Sequence, residues 1–201
     1  SAEAAKKLAE LNWYTEEYPP FNYKGDGGRL SGIAVDILSA AFLDLGVKRD
    51  ASRIPITPWN RSYKFIQKKP GTALFSMTYT AERLKIMKIV GPSVGNNISV
   101  IASVKNRIRA LTIEDLGDFT IGVVRDDIGH QLIRSTAFSS DAVVKKNSLK
   151  QLIYLLGQGR IDAIAYSVPV FHYTLKQRGV DLSAYEEVLV LKEGQLGYAF
   201  H

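Results

Sequence analysis

Apolar positions along this chain follow two alternating rhythms, one helical and one extended. From Ile33 to Leu45 they recur at helical spacing and stop at Gly46, a residue suited to end a helix in the left-handed conformation. Pro58 opens a second helical stretch towards Gln67, which Lys68-Lys69-Pro70-Gly71 closes. Short apolar runs alternate with these stretches. Leu8 to Tyr14, Ala51 to Ile56 and Thr72 to Phe75 read as strands. Lys24-Gly25-Asp26-Gly27-Gly28 reads as a hairpin turn. After Ile86–Val90 and the β-rich run Ile98–Val104, the alternation begins again. Strands are expected at Phe119–Val124, Ala142–Val144 and Ile161–Tyr166, and helices at Asp127–Phe138, Ser148–Leu156 and Val168–Gln177. Two last strands, Glu186–Leu191 and Gln195–Phe200, end the chain. Strands alternating with helices of this length imply βαβ units and parallel sheets. Two such series, parted near residues 90–104, predict two α/β lobes. One is expected to span 1–94 with 195–201, the other 95–194.

Chemistry concentrates just after the third strand, in Ser76-Met77-Thr78-Tyr79-Thr80-Ala81-Glu82-Arg83. Two readings fit this segment. It serves either as a connection with Thr80 as N-cap, or as a turn whose hydroxyls, backbone N–H groups and guanidinium hold a small carboxylate. Tyr18 and Trp59 each lie just beyond a strand end, where α/β sheets place ligands. Their rings can flank a ligand or pack in the core. Val124-Arg125-Asp126-Asp127-Ile128-Gly129 runs from a strand into a helix start, a place suited to an anion. Here Asp126 or Asp127 stands ready as an N-cap, or faces a cationic ligand group. Gly91-Pro92-Ser93-Val94-Gly95 matches the spacing of a nucleophile elbow but lacks its strand-turn-helix context, so it is read as a strand-to-hinge turn. The glycines at 25–28 lack the Lys-Ser/Thr of a phosphate loop.

Composition narrows the classes. The chain has 201 residues, 46% of them hydrophobic, as in ordinary folded proteins. No apolar run is long enough to span a bilayer. With no cysteine, thiol nucleophiles, disulfides and thiolate metal sites are excluded. The three histidines are not at metal-binding spacing, so neither a metal nor any other cofactor is expected. A net charge of +6 favours anionic partners. The basic residues are scattered and no nucleic-acid-binding motif accompanies them, so nucleic acid is discounted.

The order of these pieces resembles the bacterial extracellular solute-binding proteins of the polar amino-acid type, which serve ABC importers. The resemblance rests on Glu17-Tyr18-Pro19-Pro20-Phe21 with Gly32 to Leu38, and on Pro58-Trp59-Asn60-Arg61 with Phe75 to Arg83 and Val90-Gly91-Pro92. Gly122-Val123-Val124 and Gly159-Arg160-Ile161-Asp162-Ala163 complete it. It implies a type II periplasmic-binding-protein fold: two lobes, each a mainly parallel sheet flanked by helices, joined by a two-strand hinge that closes on a ligand. Further chain is expected past His201, and the small-residue start at Ser1 fits a mature end left after removal of a signal peptide. By the resemblance, Tyr18 and Trp59 flank the ligand. Ser76, Met77 (through its backbone) and Thr78 bind one carboxylate oxygen, and Arg83 pairs with the carboxylate. Asp127 and Ile128 add donors from the second lobe. Glu17, Arg61 and Asp126 are further candidates. One departure stands out: Ser167 occupies the place where the family often has an acidic residue for the ligand amino group.

These observations predict a non-enzymatic, monomeric, periplasmic protein with no catalytic residues. Its expected ligand is a small carboxylate-bearing or amino-acid-like solute, and its expected partner the membrane permease of an ABC importer. Two alternatives share the fold: a dehydratase-type or peptidoglycan-associated enzyme, and a sensing module of a receptor.

Overall fold

The computed structural model describes residues 1–201. In chain order its first elements are α1 (Ala2–Glu10), β1 (Asn12–Tyr14), β2 (Tyr23–Lys24), β3 (Leu30–Ser31), α2 (Ile33–Asp44), α3 (Trp59–Lys68), β4 (Thr72–Thr78), α4 (Ala81–Leu84) and β5 (Lys88–Ser103). There follow β6 (Ile121–Val124), α5 (Ile128–Arg134), β7 (Val143–Lys146), α6 (Leu149–Gly157), β8 (Ala163–Ser167), α7 (Val168–Gln177) and β9 (Tyr185–Phe200). The chain divides into two compact units, Ser1–Gly95 with Gln195–His201, and Asn96–Gly194. No helix is long and apolar enough to cross a membrane.

In the first unit, β1 runs parallel to β4, with Asn12 beside Thr72 and Tyr14 beside Leu74. β4 pairs antiparallel with the end of β9. All seven β4 residues are buried, as expected of a strand covered on both faces. Trp13 anchors one face. Its ring meets Phe42 and Phe200 edge-on at 5.3 and 5.6 Å and Phe75 at 6.4 Å. Its indole N–H donates to the Leu8 carbonyl at 2.9 Å, which ties α1 to the strand that follows it. The opposite face gathers Trp59, Ile66, Leu74, Met77, Met87 and Ala199. The glycine-rich segment at 25–28 joins β2 and β3 as an antiparallel hairpin.

In the second unit, β6 lies between β7 and β8 and is parallel to both, while β8 pairs antiparallel with β5. Ile121, Val123, Ile133, Ala163 and Leu116 form much of its core. A Cβ at Gly129 would lie 2.1 Å from the Ala165 carbonyl oxygen. Helix α5 therefore packs directly on the β8 backbone at that point.

Several local expectations are corrected. The apolar residues from Leu8 onward are shared between the last turn of α1 and a strand of only three residues. Residues 51–56 are not a strand. Asp50 accepts hydrogen bonds from the Ser52 backbone and hydroxyl and bends Ala51–Arg53 into a 3-10 turn, leaving only a bridge from Ile56 to Thr15. The segment 91–95 does not turn but runs inside β5. The two final strands are one, β9. Helix α5 ends at Arg134, short of Phe138.

Candidate ligand-binding site

Within the first unit, the end of β4 leads directly into the short helix α4. Thr80 caps that helix, its hydroxyl accepting from the Arg83 N–H at 3.1 Å. The cap expected at Thr80 is thus present, and the N–H it accepts from belongs to Arg83 itself. The cap turns the chain so that the Arg83 side chain folds back under β4. There its Nη1 donates to the Thr78 carbonyl at 3.0 Å. Arg83 is only 1% exposed. A charge so deeply placed requires partners. Two of them are aromatic: its Cζ lies 5.3 Å from the ring centres of both Trp59 and Tyr63. Those rings stand four residues apart on α3 and stack 5.3 Å from one another, with planes 19° apart. The sequence signalled Trp59 but not Tyr63, although the i, i+4 spacing on a helix places the two on one face.

Ser76 marks a β-bulge between Phe75 and Met77, and its φ is +60°. Bulges re-aim side chains, and this one turns the Ser76 hydroxyl onto the Asn22 side-chain carbonyl. Asn22 is buried and bridges backbone to backbone with Tyr18. The loop from Tyr18 to Asn22 is thereby fastened to β4. Tyr18 itself is buried against Phe21, with ring centres 5.8 Å apart. The Met77 side chain lies in the apolar core beside Trp59. Two candidates stand apart from this group. Glu17 is exposed and accepts from the Lys24 N–H at 3.1 Å. Arg61 is exposed and lies over Phe65, 5.5 Å from its centre.

Within the second unit, β6 ends in a tight turn. Asp126 has φ +60° there, and Asp127 takes the N-cap position of α5 without a side-chain capping bond. The turn is held instead by His130 and Gln131. The Asp126 N–H donates to His130 Nδ1 at 3.0 Å, and Gln131 Nε2 donates to the Asp126 carbonyl at 2.8 Å. Because Nδ1 accepts, the imidazole is neutral. Burial, then Lys145 and Arg134, pushes its pKa below the ordinary value, against the opposing pull of Asp126. The Asp126 carboxylate, 3.8 Å from Nδ1, is therefore not an ion-pair partner at neutral pH. Neither His130 nor Gln131 was marked by the sequence, since a lone histidine carries no motif. Ser167 is fully buried, donates to Asn96 Oδ1 at 2.5 Å and accepts from the Val170 N–H at 3.3 Å as the cap of α7.

The His130 geometry sets a pH dependence. Between the lowered folded pKa and about 6.5, the unfolded chain binds a proton that the folded chain does not. Stability is expected to be level above that window and to fall as pH drops through it. Urea midpoints measured from pH 7.5 to 5 should show this decline in the native chain and a weaker one in His130→Gln. Equal slopes in the two proteins would refute it.

A family model described as bacterial extracellular solute-binding proteins, family 3, matches residues 13–153. The chain belongs to that family. Membership supports a ligand-binding role, and the family is one of binding proteins rather than enzymes. Solved structures share the fold throughout. The arginine-bound form of truncated ArgBP from T. maritima is 20% identical with a TM-score of 0.80, over 99% of this chain and 91% of that one. A histidine-bound ABC uptake transporter substrate-binding protein from Streptococcus pneumoniae is 14% identical with a TM-score of 0.82, over 100% and 82%. A histidine kinase sensor domain with similarity to periplasmic binding proteins is 17% identical with a TM-score of 0.80, over 94% and 81%. These likenesses support the two-lobed periplasmic-binding-protein fold, with mainly parallel sheets flanked by helices. A search of curated proteins returned no match.

Proposed function

We propose that this solute-binding protein captures a small carboxylate-bearing solute, an amino acid or a close analogue, outside the cytoplasm and delivers it to the permease of an ABC importer. The observation that carries this reading is Arg83: a buried guanidinium fixed by Thr78 and by two rings, at the end of a strand in a solute-binding fold. Such a fork suits a carboxylate, to which it can donate two parallel hydrogen bonds. Ser76, Met77 and Thr78 frame the same corner, and Tyr18 and Trp59 supply its apolar surface. Asp127 and Ile128 are the second unit's contribution, with Asp126 beside them. The proposed mode is hinge closure, in which bound solute favours the closed state. Neighbours that hold arginine or histidine support an amino-acid ligand.

A second reading, a sensor module, is favoured by the likeness to a histidine kinase sensor domain. It shares the ligand and differs in the downstream partner.

The test is a thermal-shift screen over the common amino acids, their analogues, dicarboxylates and a set of neutral sugars. A ligand at 100 times its Kd should add about 2.7 kcal/mol of stability. Amino acids or related carboxylates are expected to raise the melting temperature. Shifts from neutral sugars alone would overturn the proposal.

A further inference from the structure

Six exposed basic side chains that lie apart in sequence gather on one side of the first unit. From Trp59 to Gly95 the chain holds seven basic residues and one acidic, a net +6 that equals the charge of the whole chain, so the other residues balance to zero. Of the seven, only Arg83 is buried. Helix α3 turns Trp59, Ser62 and Ile66 inward, which sends Arg61, Lys64 and Lys68 outward at intervals of about one turn, and the helix carries no acid. Lys69 follows, and it and Arg61 lie over the Phe65 ring at 4.1 and 5.5 Å. The segment 83–88 runs beside α3. Its buried residues hold it there, Arg83 against Trp59 and Tyr63, and Met87 in one core with Trp59 and Ile66. Its other side chains, Leu84, Lys85, Ile86 and Lys88, are exposed, Leu84 by 52% and Ile86 by 48%. None of the six cations forms an ion pair, whereas Lys6, Lys7, Arg53 and Arg109 each hold a carboxylate.

We propose that this side of the first unit docks on an anionic lipid bilayer, with its lysines at the headgroups and Leu84 and Ile86 beneath them. Like charges crowded on one surface repel one another, and a layer of negative headgroups relieves that repulsion. Five of the six cations are lysines. An ammonium on a flexible stem suits a diffuse negative surface, while carboxylates fixed on a folded protein are matched better by the planar fork of arginine. The apolar pair points the same way. Leu84 and Ile86 are interleaved with Lys85 and Lys88, so their aliphatic side chains can enter the boundary between headgroups and acyl chains while the lysine stems reach back to the phosphates. A soluble anion would use the charges and leave Leu84 and Ile86 bare. Arg83 is turned inward, so docking does not compete with solute for its guanidinium.

Vesicle co-sedimentation of the full chain tests this, with vesicles of phosphatidylcholine alone and of phosphatidylcholine mixed with phosphatidylglycerol. The native chain should sediment with the mixed vesicles and not with phosphatidylcholine alone, and added salt should weaken the binding steeply. A basic residue near an anionic surface is worth about fivefold in partitioning, so Lys64→Glu, Lys68→Glu and Lys69→Glu together should lower it by about a hundredfold or more. Leu84→Ser with Ile86→Ser leaves the charge unchanged and should lower it several-fold, since interfacial binding scales with the apolar area inserted. Lys105→Glu, Lys150→Glu and Lys176→Glu together make the same change of net charge on the second unit and should leave most of the binding intact. Melting curves confirm that each variant is folded. Equal binding to the two kinds of vesicle, no binding to the mixed vesicles, an equal loss in the two triple variants, or no loss in Leu84→Ser with Ile86→Ser overturns the proposal. Capture by native membranes but not by vesicles of their extracted lipids also overturns it, and assigns the surface to an acidic protein instead.

Discussion

Replacing Arg83 with alanine is expected to weaken solute binding by about 2–5 kcal/mol, the usual cost of truncating one partner of a desolvated charge pair. Calorimetry with the solute identified by the thermal screen measures it. Arg83→Lys should recover only part of the loss, because an ammonium keeps the charge but not the planar fork. The fork is also what lies against Trp59 and Tyr63 and donates to the Thr78 carbonyl. An unchanged affinity in Arg83→Ala would remove the carboxylate assignment. A melting curve of the variant separates lost binding from lost folding.

Trp13→Ala is expected to destabilise the first unit by about 3–5 kcal/mol, as large-to-small changes of a core tryptophan do. Three rings surround this indole, and its N–H is bonded to the Leu8 carbonyl. Collapse of phenylalanine side chains into the space would be incomplete, since Phe42, Phe75 and Phe200 belong to three different elements. Trp13→Phe should cost less, losing chiefly the hydrogen bond and part of the contact. Urea denaturation of the two variants tests both statements. A loss below about 1 kcal/mol for Trp13→Ala would mean the packing around it is far more adaptable than native cores are.

Much of the fold was legible because its signals are local. The periodicity from Ile33 onward and the left-handed Gly46 delimit α2 within one residue of the structure. Pro58 stands at the start of α3 as expected. What misled were decisions made by partners distant in sequence. Lys192-Glu193-Gly194 looks like a break, yet β9 runs through it, because a strand continues wherever it is paired. The Gly91-Pro92 dipeptide looked like a turn for the same reason. At the candidate site, Arg83, Thr78 and Trp59 announced themselves by residue type and order. Tyr63 was legible in principle, one helical turn from Trp59. Asn22 was not: it reaches Ser76 across 54 positions, and an asparagine in a loop carries no sign of such a bond. His130 was silent for a related reason, its partner being a backbone N–H.

The way the chain divides also bears on how it is made. The second unit is one continuous segment, Asn96–Gly194, complete before residue 195 is synthesised. The first unit is not. β4 waits for Leu196–Phe200, more than a hundred residues downstream, to supply its antiparallel neighbour. Domains generally fold as units. The inserted unit is therefore able to condense first, while the outer one closes last, through its most distant contacts and against the largest loss of chain entropy. Until then the edge of β4 that receives β9, and the apolar surface around Trp13 that Phe200 covers, stay open.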